Sequence, residues 1–291
     1  MPHNDAASFP LRATLLGTGT STGVPVLGCD CRVCTSTDPH DERLRCACYI
    51  EAGPLRILID AGPDFRQQAR RAGIERVDAV CFTHHHFDHT AGIDDLRPLF
   101  YRNSRPMPCY SSAHTAEILR ERYAYIFGEN PYPGAARVAL HAVEEPFSIT
   151  SRYDDTAQLQ AQPIPMQHGD TPTTGWRFGP FAYLTDAHHI SDESVALLDG
   201  VEVIVLDALR ARPHPTHFSF DEAVEMARRI GARETYFVHM THDVLHAEQE
   251  ARLPSDIHLG YDGLQVEVDP VHEEAPANAP SGAHPSACSD V

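Results

Sequence analysis

Thr83-His84-His85-His86-Phe87-Asp88-His89 is the stretch from which the rest of the chain can be read. The apolar run Ala79-Val80-Cys81-Phe82 enters it and reads as a short buried strand. The polar stretch therefore sits at a strand's C-terminal end. Within it, His84-x-His86-x-Asp88-His89 places three imidazoles and a carboxylate in six residues. These are the ligand types of divalent transition metals. Four such groups cannot all reach one tetrahedral ion from an extended turn. Alternating positions point to different sides, so two ions are the natural solution.

Two ions need further ligands, and the pattern of a strand delivering a polar residue recurs. Tyr183-Leu184-Thr185 runs into Asp186, Val201 to Leu206 into Asp207, and Thr235 to Val238 into His239. A weaker strand leads to His168 in Met166-Gln167-His168-Gly169-Asp170. A rigid scaffold with functional loops shows this pattern. His168, Asp186 and His239 complete two sites of three protein ligands plus a bridging carboxylate. A second cluster, Cys29-x-Cys31-x-x-Cys34, suits a structural Zn²⁺ that wants a fourth ligand. His242, three residues beyond His239, is the candidate. Cys46 and Cys48 lie at strand period and read as packing. His85, His188 and His189 read as ordinary neighbours of the ligands.

Composition limits the function classes. The chain has 291 residues, 42% hydrophobic and 22% charged, long enough to bury a core without disulfides. Acidic residues number 41 and basic residues 23, a net charge of −18, and every basic residue is Arg. Without Lys there is no Schiff-base catalysis and no Walker-type phosphate loop. The negative balance argues against broad nucleic-acid binding. No apolar run approaches the ~20 residues of a membrane span, and Met1 to Pro10 lacks the pattern of a signal peptide. A cytoplasmic protein with no membrane partner is expected. In that compartment clustered cysteines read as metal ligands before disulfides.

Ala13 to Leu16 reads as a strand entering the flexible loop 17–23, with no helix after it and hence no dinucleotide fingerprint. Gly53-Pro54 and Gly179-Pro180 mark hairpins joining Cys48–Glu51 to Leu55–Ile59 and Trp176–Phe178 to Phe181–Leu184. Asp64 to Ala72 reads as a helix stopping at Gly73, and Ser219-x-x-Glu222 as a capping box for a helix ending at Gly231. Residues 90–127 read as mostly helical with a break near Pro106 and Pro108, 130–134 as a loop, and 135–165 as half-exposed strands. One domain is expected over 11–268. Residues 270–291, Cys288 among them, read as a disordered tail.

At its His and Asp positions the chain resembles the metallo-β-lactamase superfamily over about Leu11 to Val268. The resemblance implies an α/β architecture, the αββα sandwich: two mixed β-sheets packed face to face, helices outside, metals at one edge. The Cys29-x-Cys31-x-x-Cys34 loop after Gly17-Thr18-Gly19-Thr20 resembles that of the phosphoribosyl 1,2-cyclic phosphate phosphodiesterases. Those enzymes carry an accessory Zn²⁺ on three Cys and one His, and His242 fits the His offset. They also have a catalytic His ahead of the last helix, matched by His217 in Pro215-Thr216-His217-Phe218-Ser219.

The chemistry then expected is hydrolysis of a small cyclic phosphate ester, ribose 1,2-cyclic phosphate or similar, by a hydroxide bridging two Zn²⁺ or Mn²⁺ ions. His84, His86 and His168 are expected at one ion, Asp88, His89 and His239 at the other, with Asp186 between. His217, when protonated, would neutralise the developing charge or protonate the leaving group. The alternatives are a ribonuclease Z-like tRNA 3′ processing enzyme and a non-catalytic metal-binding scaffold. No basic arm for tRNA is visible, and the full ligand set argues against a scaffold. Oligomeric state stays open, a homodimer being common in relatives.

Overall fold

The computed structural model describes residues 10–269 except 101, 102, 104 and 129–131. Among these residues the strands form two seven-stranded sheets. The first runs in the order β14 (Gln265–Val268), β1 (Leu11–Gly17), β2 (Ala47–Ala52), β3 (Leu55–Ile59), β4 (Ala79–Cys81), β5 (Met107–Ser111), β6 (Val138–Ala142). The second runs β13 (Ile257–Leu259), β12 (Glu234–Val238), β11 (Val203–Asp207), β10 (Phe181–Leu184), β9 (Thr171–Phe178), β8 (Gln158–His168), β7 (Phe147–Thr150).

Each sheet is antiparallel on one side and parallel on the other. Pairing is antiparallel from β14 to β3 and from β7 to β10. It is parallel from β3 to β6 and from β10 to β13. Parallel neighbours require crossovers, and helices supply most of them. The helices α1 (Phe65–Arg71), α3 (Ala113–Arg122) and α4 (Ala124–Phe127) serve the first sheet, with α2 (Phe87–Thr90) in the loop after β4. The helices α5 (Asp192–Ala196), α6 (Phe220–Ile230) and α7 (His246–Glu250) serve the second.

The layers follow from which strand faces are apolar. Leu15, Ile50, Ile57, Trp176, Tyr183 and Val205 meet between the sheets. Phe65 and Leu119 close the outer face of the first sheet, and Phe220 and Met226 that of the second. This is the expected αββα sandwich of two mixed sheets.

Both expected hairpins are present, with Cys48 opposite Ile59 and Phe178 opposite Phe181. The α6 cap is a true capping box: Ser219 accepts from the Glu222 N–H, Glu222 answers on the Ser219 N–H, and Gly231 ends the helix at φ 79°. Residues 90–127 are mostly helical with a break near Pro106 and Pro108, as their sequence suggests, through 93–100, Ala113–Arg122 and Ala124–Phe127, but the break itself is a strand. Residues 93–100 form 3₁₀ helix, and Met107–Ser111 is strand β5, inserted between β4 and β6. Its buried alternation, Met107, Cys109 and Ser111, is too short to outweigh Pro106 before it and Pro108 within it. The tail 270–291 and part of the loop 130–134 lie outside the described residues. No helix among the described residues is long and apolar enough to cross a membrane.

Candidate active site

The parallel halves send the C-terminal ends of β3, β4, β10, β11 and β12 to one edge of the sandwich. Each end delivers a polar side chain: Asp60, His84, Asp186, Asp207 and His239. Three of them, Asp60 (φ 62°), Asp186 (φ 57°) and His239 (φ 68°), are non-glycine residues in the left-handed region. Such backbone costs on the order of 1–3 kcal/mol per residue and persists where the surroundings over-determine it. Close approach is also built in. A Cβ on Gly62 would sit 1.9 Å from the Asp88 carbonyl oxygen, so only glycine lets the turn of α2 settle against the loop after β3.

The expected ligands converge in two groups. The ligand atoms of His84, His86 and His168 lie within 4.8 Å of one another, and so do those of Asp88, His89, Asp186 and His239. Asp186 joins them. Its Oδ1 is 3.9 Å from His84 Nε2 and 3.3 Å from His239 Nε2, and its Oδ2 is 3.2 Å from His89 Nε2. Asp88 Oδ2 lies 3.2 Å from His89 Nε2 and 3.8 Å from His239 Nε2.

This donor set fits divalent cations. The Nε2 atoms of His84, His89 and His239 are buried yet make no hydrogen bond. Buried polar atoms are normally satisfied, so unpaired nitrogens facing carboxylates call for a cation. Burial, the largest influence, pushes His84 well below the ordinary histidine value. Against burial, Asp186, Asp88 and Asp60 lift His89 well above it. Also against burial, the neighbouring histidines hold Asp88 and Asp186 below the usual carboxylate range.

Outer contacts fix the rings. Asp60 accepts from His89 Nδ1 at 2.7 Å and from the Thr83 N–H and hydroxyl, both at 2.8 Å. This leaves His89 Nε2 as the outward-facing nitrogen. His168 Nδ1 donates to the Thr216 carbonyl at 2.7 Å. Sequence reasoning missed Asp60, although the strand-end pattern it used elsewhere applies to the residue after Ile59. The Thr216 carbonyl has no signal in sequence. His188 stands outside the ligand groups, against the backbone of Gln167 and Gly169.

His217 is brought to the cluster, its ring centroid 4.4 Å from that of His168 and 4.6 Å from that of His239. Its Nδ1 lies 3.1 and 3.2 Å from the Asp207 oxygens. Asp207 also accepts from the N–H groups of Phe218 and Asp186. Burial would lower His217, but the Asp207 carboxylate outweighs it and lifts the value to about 9.

The second cluster also assembles. Cys29, Cys31 and Cys34 place their sulfurs 3.3, 3.6 and 3.5 Å from His242 Nδ1. The Cys34 N–H points at Cys31 Sγ and pulls that thiol down to about 6, which favours the thiolate a zinc ion needs. A cavity of about 300 Å³ lies between the clusters, with His217 and His242 both in its wall.

Comparison with known proteins agrees with this architecture. A family model described as the β-lactamase superfamily domain matches residues 55–240. The chain is 42% identical over 265 residues to an octanoyltransferase of Porphyromonas gingivalis, covering 89% of this chain and 52% of that protein. It is 28% identical over 144 residues to a ribonuclease Z of Bradyrhizobium, covering 48% of this chain and 46% of that protein. The chain thus spans about half the length of these two relatives. Among solved structures, a diphosphatase of the PhnP family superposes with TM-score 0.81 at 41% identity, covering 89% of this chain and 98% of that one.

Proposed function

We propose that this chain, which belongs to the metallo-β-lactamase superfamily and is a metal-dependent hydrolase, hydrolyses a small cyclic phosphate ester, ribose 1,2-cyclic phosphate or similar. The observation that carries the reading is the placement of His217. It stands beside the His/Asp cluster, is tied to Asp207, and opens onto a cavity sized for a small molecule. The solved diphosphatase of the PhnP family, similar over nearly the whole described chain, supports phosphate chemistry. The Porphyromonas relative's name does not set the reading, because about half of that protein lies outside the match.

His84, His86 and His168 would hold one cation and Asp88, His89 and His239 a second, with Asp186 shared between them. Bound there, divalent cations supply Lewis acidity toward a phosphate oxygen and lower the pKa of water toward neutrality. The chain's own residues do the rest. Asp60 and the Thr216 carbonyl hold the rings of His89 and His168 in place. Asp207 keeps the His217 proton on Nδ1 and favours the charged ring, so that Nε2 can hand a proton to the departing sugar oxygen. Cys29, Cys31, Cys34 and His242 would hold a structural zinc bracing this edge.

The test is hydrolysis of ribose 1,2-cyclic phosphate by metal-loaded chain, beside 2′,3′-cyclic nucleotides and a precursor tRNA. Cleavage of the small cyclic esters with the tRNA left intact is expected. Cleavage of the tRNA alone would overturn the reading and place the chain with ribonuclease Z, a relative over half its length.

A further inference from the structure

Asp60, Thr83 and His84 are each fully buried and touch in series behind the His/Asp cluster. The Thr83 hydroxyl lies 2.8 Å from Asp60 Oδ2 and 3.0 Å from His84 Nδ1. The Thr83 backbone is held from both sheets. Its N–H donates to Asp60 Oδ1 at 2.8 Å, and its carbonyl accepts from the Thr174 N–H of β9 at 2.9 Å. Asp60 also accepts from His89 Nδ1, so its oxygens face three donors, the surroundings of an ionised carboxylate.

An ionised carboxylate can only accept, and a hydroxyl carries one hydrogen. The Thr83 hydrogen therefore goes to Asp60, and the Thr83 oxygen is left to accept from His84. The neutral His84 ring then carries its hydrogen on Nδ1 and its lone pair on Nε2. That Nε2 is buried, makes no hydrogen bond and lies 3.9 Å from Asp186 Oδ1. The opposite tautomer would leave a buried N–H unsatisfied there. His89 and His168 need no such relay, because their Nδ1 atoms face a carboxylate and a carbonyl, which accept only. His84 faces a hydroxyl, which can give or take, so its tautomer depends on where Thr83 sends its hydrogen.

We propose that Thr83 is a positioning residue that relays the Asp60 carboxylate to His84 and holds that ring in the tautomer presenting Nε2 to a cation. Asp60 thereby sets two rings, His89 directly and His84 through Thr83. The inference rests on His84 serving as a cation ligand and is independent of which substrate is cleaved.

The experiment compares the zinc-loaded full-length chain with its Thr83→Val and Thr83→Ser variants. Valine keeps the shape and removes the hydroxyl, whereas serine keeps the hydroxyl. Chelator titration should show one zinc of Thr83→Val held roughly 10- to 100-fold more weakly, as loss of such a partner does. Thr83→Ser should hold its zinc as the wild type does. ¹⁵N spectra of the imidazoles read the tautomer itself, and wild-type His84 should carry its hydrogen on Nδ1. A hydrogen on Nε2, or zinc bound through Nδ1, would overturn the assignment. So would unchanged zinc affinity in Thr83→Val, or a loss that Thr83→Ser shares in full. Should Thr83→Val fail to fold, the wild-type spectrum decides. If the wild type binds no cation at the His/Asp cluster, the cation reading fails by itself. Spectra of the metal-free chain then test Thr83 alone. A hydrogen on His84 Nδ1 that moves in Thr83→Val would support the relay, and a hydrogen on Nε2 in the wild type would overturn it.

Discussion

The His/Asp cluster and the Cys/His cluster sit at the same edge but are built in opposite ways. The first draws its residues from several strand ends and loops across both sheets, buries His84, His89 and His239, and concentrates left-handed backbone at Asp186 and His239. The second takes three ligands from one six-residue turn and one from a distant loop, and its sulfurs are half-buried. These constructions suit different tasks. A site assembled from rigid strand ends holds its groups in one geometry for chemistry. A site made from a short loop and one remote ring ties two loops together. Buried Arg43 reinforces that tie: it donates to the Val244 carbonyl at 2.9 Å and lies 3.3 Å from Asp41, which accepts from the His246 N–H.

Substitutions should separate the two regions. Removing the shared carboxylate with Asp186→Ala should lower hydrolysis on the order of a thousandfold or more, since cation charge stabilisation supplies several kcal/mol. Steady-state kinetics with metal analysis would check it, and near-normal turnover would erase the distinction between the clusters. His217→Ala should lower kcat by roughly 10²–10⁴-fold, the range for a positioned acid, with cation content unchanged. Loss of cations in that variant would make His217 structural instead.

Asp60→Asn should weaken cation binding or activity by roughly 10–100-fold, as loss of an outer contact does. Chelator titration would read it. If His217 is the proposed acid, activity should fall as pH rises through its pKa. Asp207 lifts that value to about 9, and bound cations nearby would act in the opposite direction. Asp207→Asn should therefore move the alkaline limb of the kcat profile to lower pH. A limb that does not move would remove His217 from the proton path.

The smallest effect on chemistry is expected from Cys31→Ser. It should cost one zinc and lower Tm by several degrees, at about 2–4 °C for each kcal/mol in a chain of this order of length. Turnover should stay within about tenfold. Unchanged zinc content and Tm would leave the sulfur cluster with no structural part.

Much of the site was legible in the sequence because chemistry-bearing residues are dense there. Four ligand-type side chains between His84 and His89, and three cysteines between Cys29 and Cys34, are hard to reconcile with a plain solvated loop. Asp186 and His239 were legible because each follows a strand that a short apolar run announces, and His168 because a weaker strand leads to it. The sandwich itself was not written in local periodicity and entered through family resemblance. β5 was lost because three alternating residues with one proline before them and another among them carry little signal, and its strand character comes from pairing with β4 and β6. Asp60 and the Thr216 carbonyl matter only through a contact made in three dimensions.

That the two clusters hold separate ions with separate tasks can be tested by one comparison. Metal content per chain would be measured for purified wild type, Asp186→Ala and Cys31→Ser, beside hydrolysis of ribose 1,2-cyclic phosphate. Asp186→Ala is expected to lose cations and activity while keeping the sulfur-bound zinc. Cys31→Ser is expected to lose only that zinc and still turn over substrate. Joint loss of all metal in both variants, or hydrolysis that persists after every ion is removed, would refute this division of labour.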